Sequence, residues 1–198
     1  MEIMKTIDDV MLPDERSSAF VRYDPPSGKF VRIQIEDLLE ELSRYYIKDS
    51  VPEMIKDSFT TAKNIRLYSW YVYTFTPVSD LFALGCLEYA IKAKIGSAFD
   101  TRRWGLRRCL EHAVSEKWIK DDGVKEINNM DSSYKAIFEV LGLKYEEPIE
   151  IEDPQAYVKR LVDILSEHRN ELAHGTPILY PGGYSVLKCV SKLINQIY

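Results

Sequence analysis

A basic residue, an amide and an imidazole lie close together near the end of the chain, in the stretch HRNELAHG. Arg169 and Asn170 are adjacent, and His174 follows four residues after Asn170. Histidine titrates near neutral pH, and arginine binds phosphate oxygens through a two-pronged fork. With a base, an acid and a fixed cation, the 2′-hydroxyl of RNA can attack the adjacent phosphodiester without a metal ion. The residue types therefore point to metal-independent cleavage of RNA.

An amphipathic helix is predicted to carry this stretch, beginning near Pro154 and ending at His174. Its apolar positions repeat at the spacing of one helix face: Tyr157, Leu161, Ile164, Leu165, His168 and Leu172. Gly175 and then Pro177 follow in the usual order of a helix C-cap. His174 is therefore expected in the last turn, where the negative end of the helix dipole favours a protonated imidazole.

The helix spacing also predicts where the polar residues of the motif point. Asn170 and His174 are four residues apart, so they lie on roughly the same side, away from the apolar face. Arg169 lies about 140° from His174 around the helix axis, and its long side chain has to lean round the helix end to reach the same phosphate. His168 lies within the apolar face and is predicted to be a packed core histidine.

The rest of the chain predicts a hairpin followed by helices. Residues 20–35 place Pro-Pro-Ser-Gly between two short runs, which is typical of a β-hairpin. Helices are then expected at 35–46, 52–75, 80–95, 101–119, 132–140 and 187–197, with Thr76 and Pro77 as a break and Ser79 or Asp80 as the next N-cap. The fold class is thus mainly α, a helical bundle with a short N-terminal β-hairpin.

Charge restricts the partners of the chain. The net charge is −5, which disfavours non-specific attraction to nucleic acid or to an anionic membrane. An RNA contact must then be local, and the candidate substrate-binding residues are Lys92, Lys94, Arg102 and Arg103, beside Arg107 and Arg108. The alternative is that these residues are two solvated helix faces flanking a turn.

Three widely spaced cysteines without a C-x-x-C pair predict no disulfide framework and fit a reducing cytoplasm. Cys109 and His112 are one helical turn apart, but a zinc site needs more ligands than two. We expect no metal and no cofactor. The N-terminal residues lack the pattern of a secretion signal, and no stretch is long and apolar enough for a membrane role to be expected.

The motif in its setting resembles the HEPN superfamily of small helical domains. The family's mark is Arg, four to six residues, then His, with a polar residue, most often Asn, after the Arg. The run from Arg169 to His174 fits this mark, and Gly175 matches the common form RN-x-x-AHG. The segment 80–96 also looks like an earlier core helix of the family. The resemblance covers 50–198, which leaves 1–49 as an N-terminal extension with the hairpin and an amphipathic helix.

The resemblance implies a homodimer with two-fold symmetry whose cleft collects the Arg and His of both chains. In active members the motif cleaves RNA without a metal, commonly as the toxin of a toxin–antitoxin pair or in phage defence. His174 would be the acid or base, Arg169 the phosphate binder and Asn170 an orienting residue; a toxin would have an antitoxin protein as a partner.

Two other interpretations of the motif remain open at this point. Many HEPN-like domains keep the helices without nuclease activity and bind a nucleotide, RNA or a protein, and the acidic net charge favours that alternative. A still simpler interpretation is that HRNELAHG only ends a helix, because Arg and His five residues apart occur on many helices. The ribonuclease interpretation predicts cleavage of RNA in the presence of a chelator, and it predicts that this activity is lost when His174 is substituted. The other two interpretations predict no cleavage.

Overall fold

The described part of the chain is mainly helical. The computed structural model describes residues 4–24, 26–121, 155–175 and 186–198, which form seven helices and one two-stranded sheet. In chain order the elements are α1 (Glu15–Ser18), β1 (Val21–Asp24), β2 (Lys29–Arg32), α2 (Ile35–Ser43), α3 (Glu53–Tyr68), α4 (Phe75–Ile95), α5 (Leu106–Ser115), α6 (Ala156–Ala173) and α7 (Val186–Ile197). The predicted fold class is confirmed, and the helix predicted at 132–140 lies outside the described residues.

The N-terminal hairpin forms where the sequence predicts it. Strands β1 and β2 are antiparallel, with Val21 opposite Arg32 and Asp24 opposite Lys29. Gly28 lies in the connecting turn with φ +66°, a left-handed conformation that glycine adopts without the steric penalty of a side chain. The two strands are mostly exposed, so the hairpin adds little to the core.

Helix α4 is the centre of the bundle, because it packs against α3, α5, α6 and α7. Its buried side consists of Ser79, Asp80, Ala83, Leu84, Cys86, Leu87, Ala90, Ile91 and Ile95. The alanines on this side allow the neighbouring helices to approach closely, while the leucines and isoleucines supply the apolar area removed from water. None of the described helices combines the length and the apolar character that crossing a membrane requires.

The junction between α3 and α4 differs from the prediction. Helix α3 ends at Tyr68 instead of Phe75, and α4 already begins at Phe75. Pro77 therefore lies in the first turn of α4, where backbone N–H groups have no partner within the helix and proline is tolerated. Ser79 and Asp80 do not cap α4 as predicted, because both lie inside it and are buried.

Two other helices are shorter than predicted. Helix α2 ends at Ser43, before the tyrosines that were expected to extend its apolar face. Helix α5 covers only 106–115 of the predicted 101–119: it begins after Gly105, and beyond its C-terminal end Lys117 adopts a left-handed conformation with φ +59°. The Trp118 N–H then donates to the Ala113 carbonyl at 2.9 Å, which closes the helix end. A few residues later, Asp121 contacts the N-terminal end of α6.

The first and last parts of the described chain are joined through Asn195 on α7. Its side-chain oxygen accepts the Lys48 backbone N–H at 2.9 Å, and its side-chain NH2 donates to the Tyr46 carbonyl at 3.0 Å. Leu42 and Tyr45 of the same N-terminal region are buried in the core cluster to which α7 contributes. The connection between α2 and α3 is thereby fastened to the last helix.

The segment before α1 is held against the junction of α3 and α4. The Asp14 N–H donates to the Trp70 carbonyl at 2.9 Å, and an Asp14 carboxylate oxygen accepts the Tyr73 N–H at 3.3 Å. Hydrogen bonds from Arg16 hold the pKa of Asp14 at about 2, below its ordinary value of 3.8. Because the folded pKa is lowered, this contribution to stability is present above pH 4 and is lost as the pH falls towards 2.

The thiols provide a test of the core. Cys86, Cys109 and Cys189 are buried thiols that form no disulfide, and burial raises the pKa of Cys86 and raises that of Cys109 to about 11. Because the thiolate is the reactive form, we expect no reaction with a thiol reagent at pH 8 in the native protein. Absorbance titration with 5,5′-dithiobis(2-nitrobenzoate) should count all three thiols only in denaturant. A native thiol that reacts as fast as free cysteine would contradict this burial.

Candidate active site at the end of helix α6

Helix α6 is fixed along its length by contacts with α5 and the residues after it. The buried Asp121 carboxylate accepts the backbone N–H groups of Val158 at 2.9 Å and Tyr157 at 3.4 Å, so it caps the N-terminal end of α6 from outside the helix. Half-way along, Arg107 on α5 and Asp163 form an ion pair at 2.6 Å. The C-terminal turns of α6, which carry the motif, therefore extend past the N-terminal end of α5.

The motif histidine lies at the end of the helix, as predicted. His174 is the C-cap residue of α6, its N–H donates to the Asn170 carbonyl at 3.0 Å, and both side chains are exposed. Gly175 follows with φ +75°, and its N–H donates to the Leu172 carbonyl at 3.1 Å. A residue with a side chain would be strained in this conformation, so glycine stabilises the helix end that presents His174.

Arg169 is not placed on the same helix side as His174. Its side chain is only partly exposed, and it follows the buried His168, whereas His174 is exposed. The two positions are about 140° apart around the axis and about 7.5 Å apart along it. Asn170 and His174 therefore share one side of α6, while Arg169 lies near the edge of its core-facing side.

The buried side of α6 agrees with the prediction in part. Leu161, Leu165 and His168 are buried, and Leu172 packs partly against the core. Ile164, which was predicted to belong to this side, is 44% exposed. Val158 and Val162 are buried instead, so the core-facing side is rotated relative to the predicted one.

The acidic side chain of Asp80, which was predicted as a helix cap, lies behind the motif. One Asp80 carboxylate oxygen accepts a hydrogen bond from Arg66 on α3 at 2.6 Å. The other oxygen lies 3.9 Å from Nε2 of His168 on α6. The exposed fractions of the three side chains are between 8% and 19%, so these polar contacts are largely shielded from water. They hold α3, α4 and α6 together at His168, the residue that precedes Arg169 on α6.

The sequence contained one signal for this cluster. Asp80 lies four and seven residues before Leu84 and Leu87, on the buried side of an apolar helix, where a carboxylate requires a buried partner. Arg66 and His168 are 14 and 88 positions away along the chain, and no local pattern connects them. The position of Asp80 could have been predicted, but its partners could not.

The candidate substrate-binding cations are divided between two places. Lys92 and Lys94 lie in the last turn of α4, whereas Arg102 and Arg103 lie in the loop before α5. Lys92 pairs with Glu88 at 2.7 Å, and Arg102 pairs with Asp100 at 2.9 Å, which raises the pKa of Arg102 and lowers that of Asp100. The Lys94 ammonium lies 5.2 Å from the centre of the Tyr198 ring. These four residues therefore do not form one uninterrupted positive surface, and Arg103 is exposed.

The described residues contain no group of three or more His, Cys, Asp or Glu side chains arranged to hold a metal ion. Comparison with known proteins finds no matching family model, curated protein or solved structure. The chemistry of the site is therefore inferred from the exposed His174 and Asn170, the nearby Arg169 and the buried contacts beneath them.

The Asp80 cluster leads to a stability prediction. Asp80→Asn leaves the Arg66 guanidinium without its counter-charge in a largely dehydrated position, so we expect the free energy of unfolding to fall by about 1.5–3 kcal/mol. Urea unfolding followed by circular dichroism measures the change. The matched control is Asp163→Asn, which breaks the exposed pair with Arg107 and should lower the free energy of unfolding by less than about 1 kcal/mol. Equal effects of the two substitutions would contradict a structural role for Asp80.

Proposed function

We propose that this chain is a metal-independent endoribonuclease whose site is formed by Arg169, Asn170 and His174. The observation that carries the proposal is that His174 and Asn170 are exposed on one side of α6 at a helix end stabilised by Gly175. A group that transfers protons to and from RNA has to be accessible, and it has to be held in place. The resemblance of the motif to HEPN ribonucleases gives the same three residues.

The reaction needs two proton transfers. The 2′-oxygen forms a bond to phosphorus while the bond from phosphorus to the 5′-oxygen breaks, which gives a 2′,3′-cyclic phosphate and a free 5′-hydroxyl. One imidazole takes the proton of the 2′-hydroxyl, and a second, protonated imidazole gives a proton to the leaving 5′-oxygen. Arginine stabilises the extra negative charge of the phosphorane.

A cleft between two chains suits the positions of these residues. Within one chain Arg169 and His174 lie on different sides of α6, so a phosphate between them requires a long reach by the arginine. Two copies related by a two-fold axis at the motif end supply two imidazoles and two guanidinium groups to one substrate. We therefore place the proposed cleft at a homodimer contact formed by the ends of two α6 helices.

The biological role that goes with this activity is that of a toxin or a phage-defence protein. Such a ribonuclease acts on cellular RNA, so its place would be the cytoplasm. A toxin also has to be restrained while the cell grows, which implies an antitoxin protein as a partner.

A second candidate function is a non-catalytic HEPN-like module that binds a nucleotide, RNA or a protein. The internal ion pairs of Lys92 and Arg102 favour it, because a cation already paired with a carboxylate attracts a phosphate less strongly. This candidate predicts binding without turnover, and substitution of His174 would then change no rate.

Cleavage of a labelled RNA in EDTA distinguishes the two candidates. We expect wild type to cut RNA, to leave an all-DNA strand intact and to produce cyclic-phosphate ends. His174→Ala should reduce the rate by about 100-fold or more, because it removes the proton transfers. The matched control is Asp163→Asn, which removes one exposed negative charge from the same helix about 16 Å from His174 along the axis, and it should keep full activity. If wild type cuts none of several RNAs, or if His174→Ala cuts as well as wild type, the nuclease proposal fails.

Salt dependence of RNA binding tests the basic residues before α5. Arg103→Ala should weaken binding and reduce the slope of log K against log salt concentration by about 0.7, the value for one phosphate contact on a single strand. Fluorescence anisotropy at several salt concentrations measures the slope, with His174→Ala as the background to prevent cleavage. Arg44→Ala, which removes an exposed arginine paired with Glu40 on α2, serves as the control. An unchanged slope for Arg103→Ala would remove that residue from the proposed RNA contact.

A further inference from the structure

One side of the central helix α4 is exposed along most of its length and carries no charge. Its residues are Phe75, Val78, Phe82, Gly85 and Tyr89, at intervals of three, four, three and four. The four side chains larger than hydrogen are each at least 40% exposed. A helix that packs against four others on its buried side thus exposes a second apolar side about 21 Å long.

Helix α3 continues this surface. Met54 and Tyr68, at its two ends, are 66% and 55% exposed, and the positions between them on the same side are the uncharged Ser58, Thr61 and Ile65. Met54 lies beside α4, because its sulfur is 3.9 Å from the Tyr89 hydroxyl. We call the ten positions of the two helices the uncharged face.

The uncharged face departs from the rest of the molecule. Charged residues make up 29% of the chain, yet none occurs among these ten positions, and the nearest charged side chains on the two helices, Asp57 and Lys92, lie at the edge of the face. Contiguous apolar surface of this kind, spread over two helices, marks a protein contact more often than a solvated surface. The two helices belong to the core of the bundle, so the face is held rigidly and can match a partner surface of defined shape.

We propose that the uncharged face is a contact between two copies of this chain, related by a two-fold axis that passes close to Gly85. Charge gives the first reason why the partner at this face is a second copy of the chain. A molecule with a net charge of −5 repels its own copy, and a face without charges is where two copies can meet without facing like charges. A strongly charged partner would gain no ion pair there.

Gly85 supplies the second argument. It is exposed at the centre of the α4 row, and a Cβ atom built on it has no neighbour within 4 Å. A second α4 can therefore cross at this point with close backbone approach. A two-fold axis there places Phe82 and Tyr89 of each copy beside the glycine of the other, so large and small side chains alternate across the contact.

This contact is independent of the proposed ribonuclease site. Asp80, which approaches His168 of α6, is two positions before Phe82 and thus about 160° from it around α4. Helix α6 therefore packs on the side of α4 opposite to the uncharged face. Association through the face does not need the motif, and cleavage does not need the face.

Cross-linking and mass measurement test the proposal together. Gly85→Cys should form a disulfide-linked dimer on mild oxidation, because its two copies meet at the axis. Glu111→Cys, an exposed position of α5 outside the face, is the matched control and should stay unlinked, as should wild type with its three buried cysteines. Failure of Gly85→Cys to cross-link a protein that is dimeric in solution would overturn the position of the axis and hence the proposal.

Light scattering after size exclusion gives the second measurement. Wild type should elute with the mass of two or more chains, and Phe82→Glu with half the wild-type mass and an unchanged helical circular dichroism signal. Leu39→Glu changes an apolar residue on α2 that is 54% exposed, against 40% for Phe82, and should leave the wild-type mass unchanged. His174→Ala should also keep the wild-type mass, which separates this proposal from the ribonuclease. A wild-type chain that is monomeric at high micromolar concentration, or a dimer that Phe82→Glu leaves intact, overturns the proposal.

Discussion

The contact of Asp80 with Arg66 and His168 is the constraint on which the arrangement of the other helices depends. A carboxylate on the buried side of α4 cannot remain there without compensation, so the helices on both sides must bring their polar groups to it. This requirement fixes α3 and α6 relative to α4 more specifically than apolar packing alone, which tolerates small rotations. The position of the last turns of α6, including Arg169 and His174, depends on this contact.

Helix α4 therefore has two different tasks on its two sides. Its buried side organises the bundle through small and branched residues and the one carboxylate, and its opposite side adds Phe82, Gly85 and Tyr89 to the surface without a charge. A typical surface helix needs only one apolar stripe. Because apolar residues occur on both sides of α4, its sequence lacks the clear amphipathic pattern that α2 and α7 show.

Local patterns in the sequence were sufficient for the elements that local chemistry decides. The hairpin, the start of α2 at Ile35 and the end of α6 before Gly175 follow from alternation, helix spacing and glycine conformation, and the structure confirms them. The start of α4 was wrong because Pro77 was interpreted as a break, although a first turn accepts proline. The role of Asp80 was missed because its partners come from distant parts of the chain. The chemistry of Arg169, Asn170 and His174 was inferred from residue types and a resemblance, and it stays a prediction.

The position of α6 on the side of α4 opposite to the uncharged face has a consequence for assembly. A molecule with two self-complementary contacts on opposite sides does not stop growing at two copies: each added copy offers its unused side to the next. Such an assembly closes as a ring of four copies or extends as a filament, depending on the angle between the two-fold axes of the two contacts. Each proposed cleft would still be complete with two copies, and the uncharged face would set the distance from one cleft to the next.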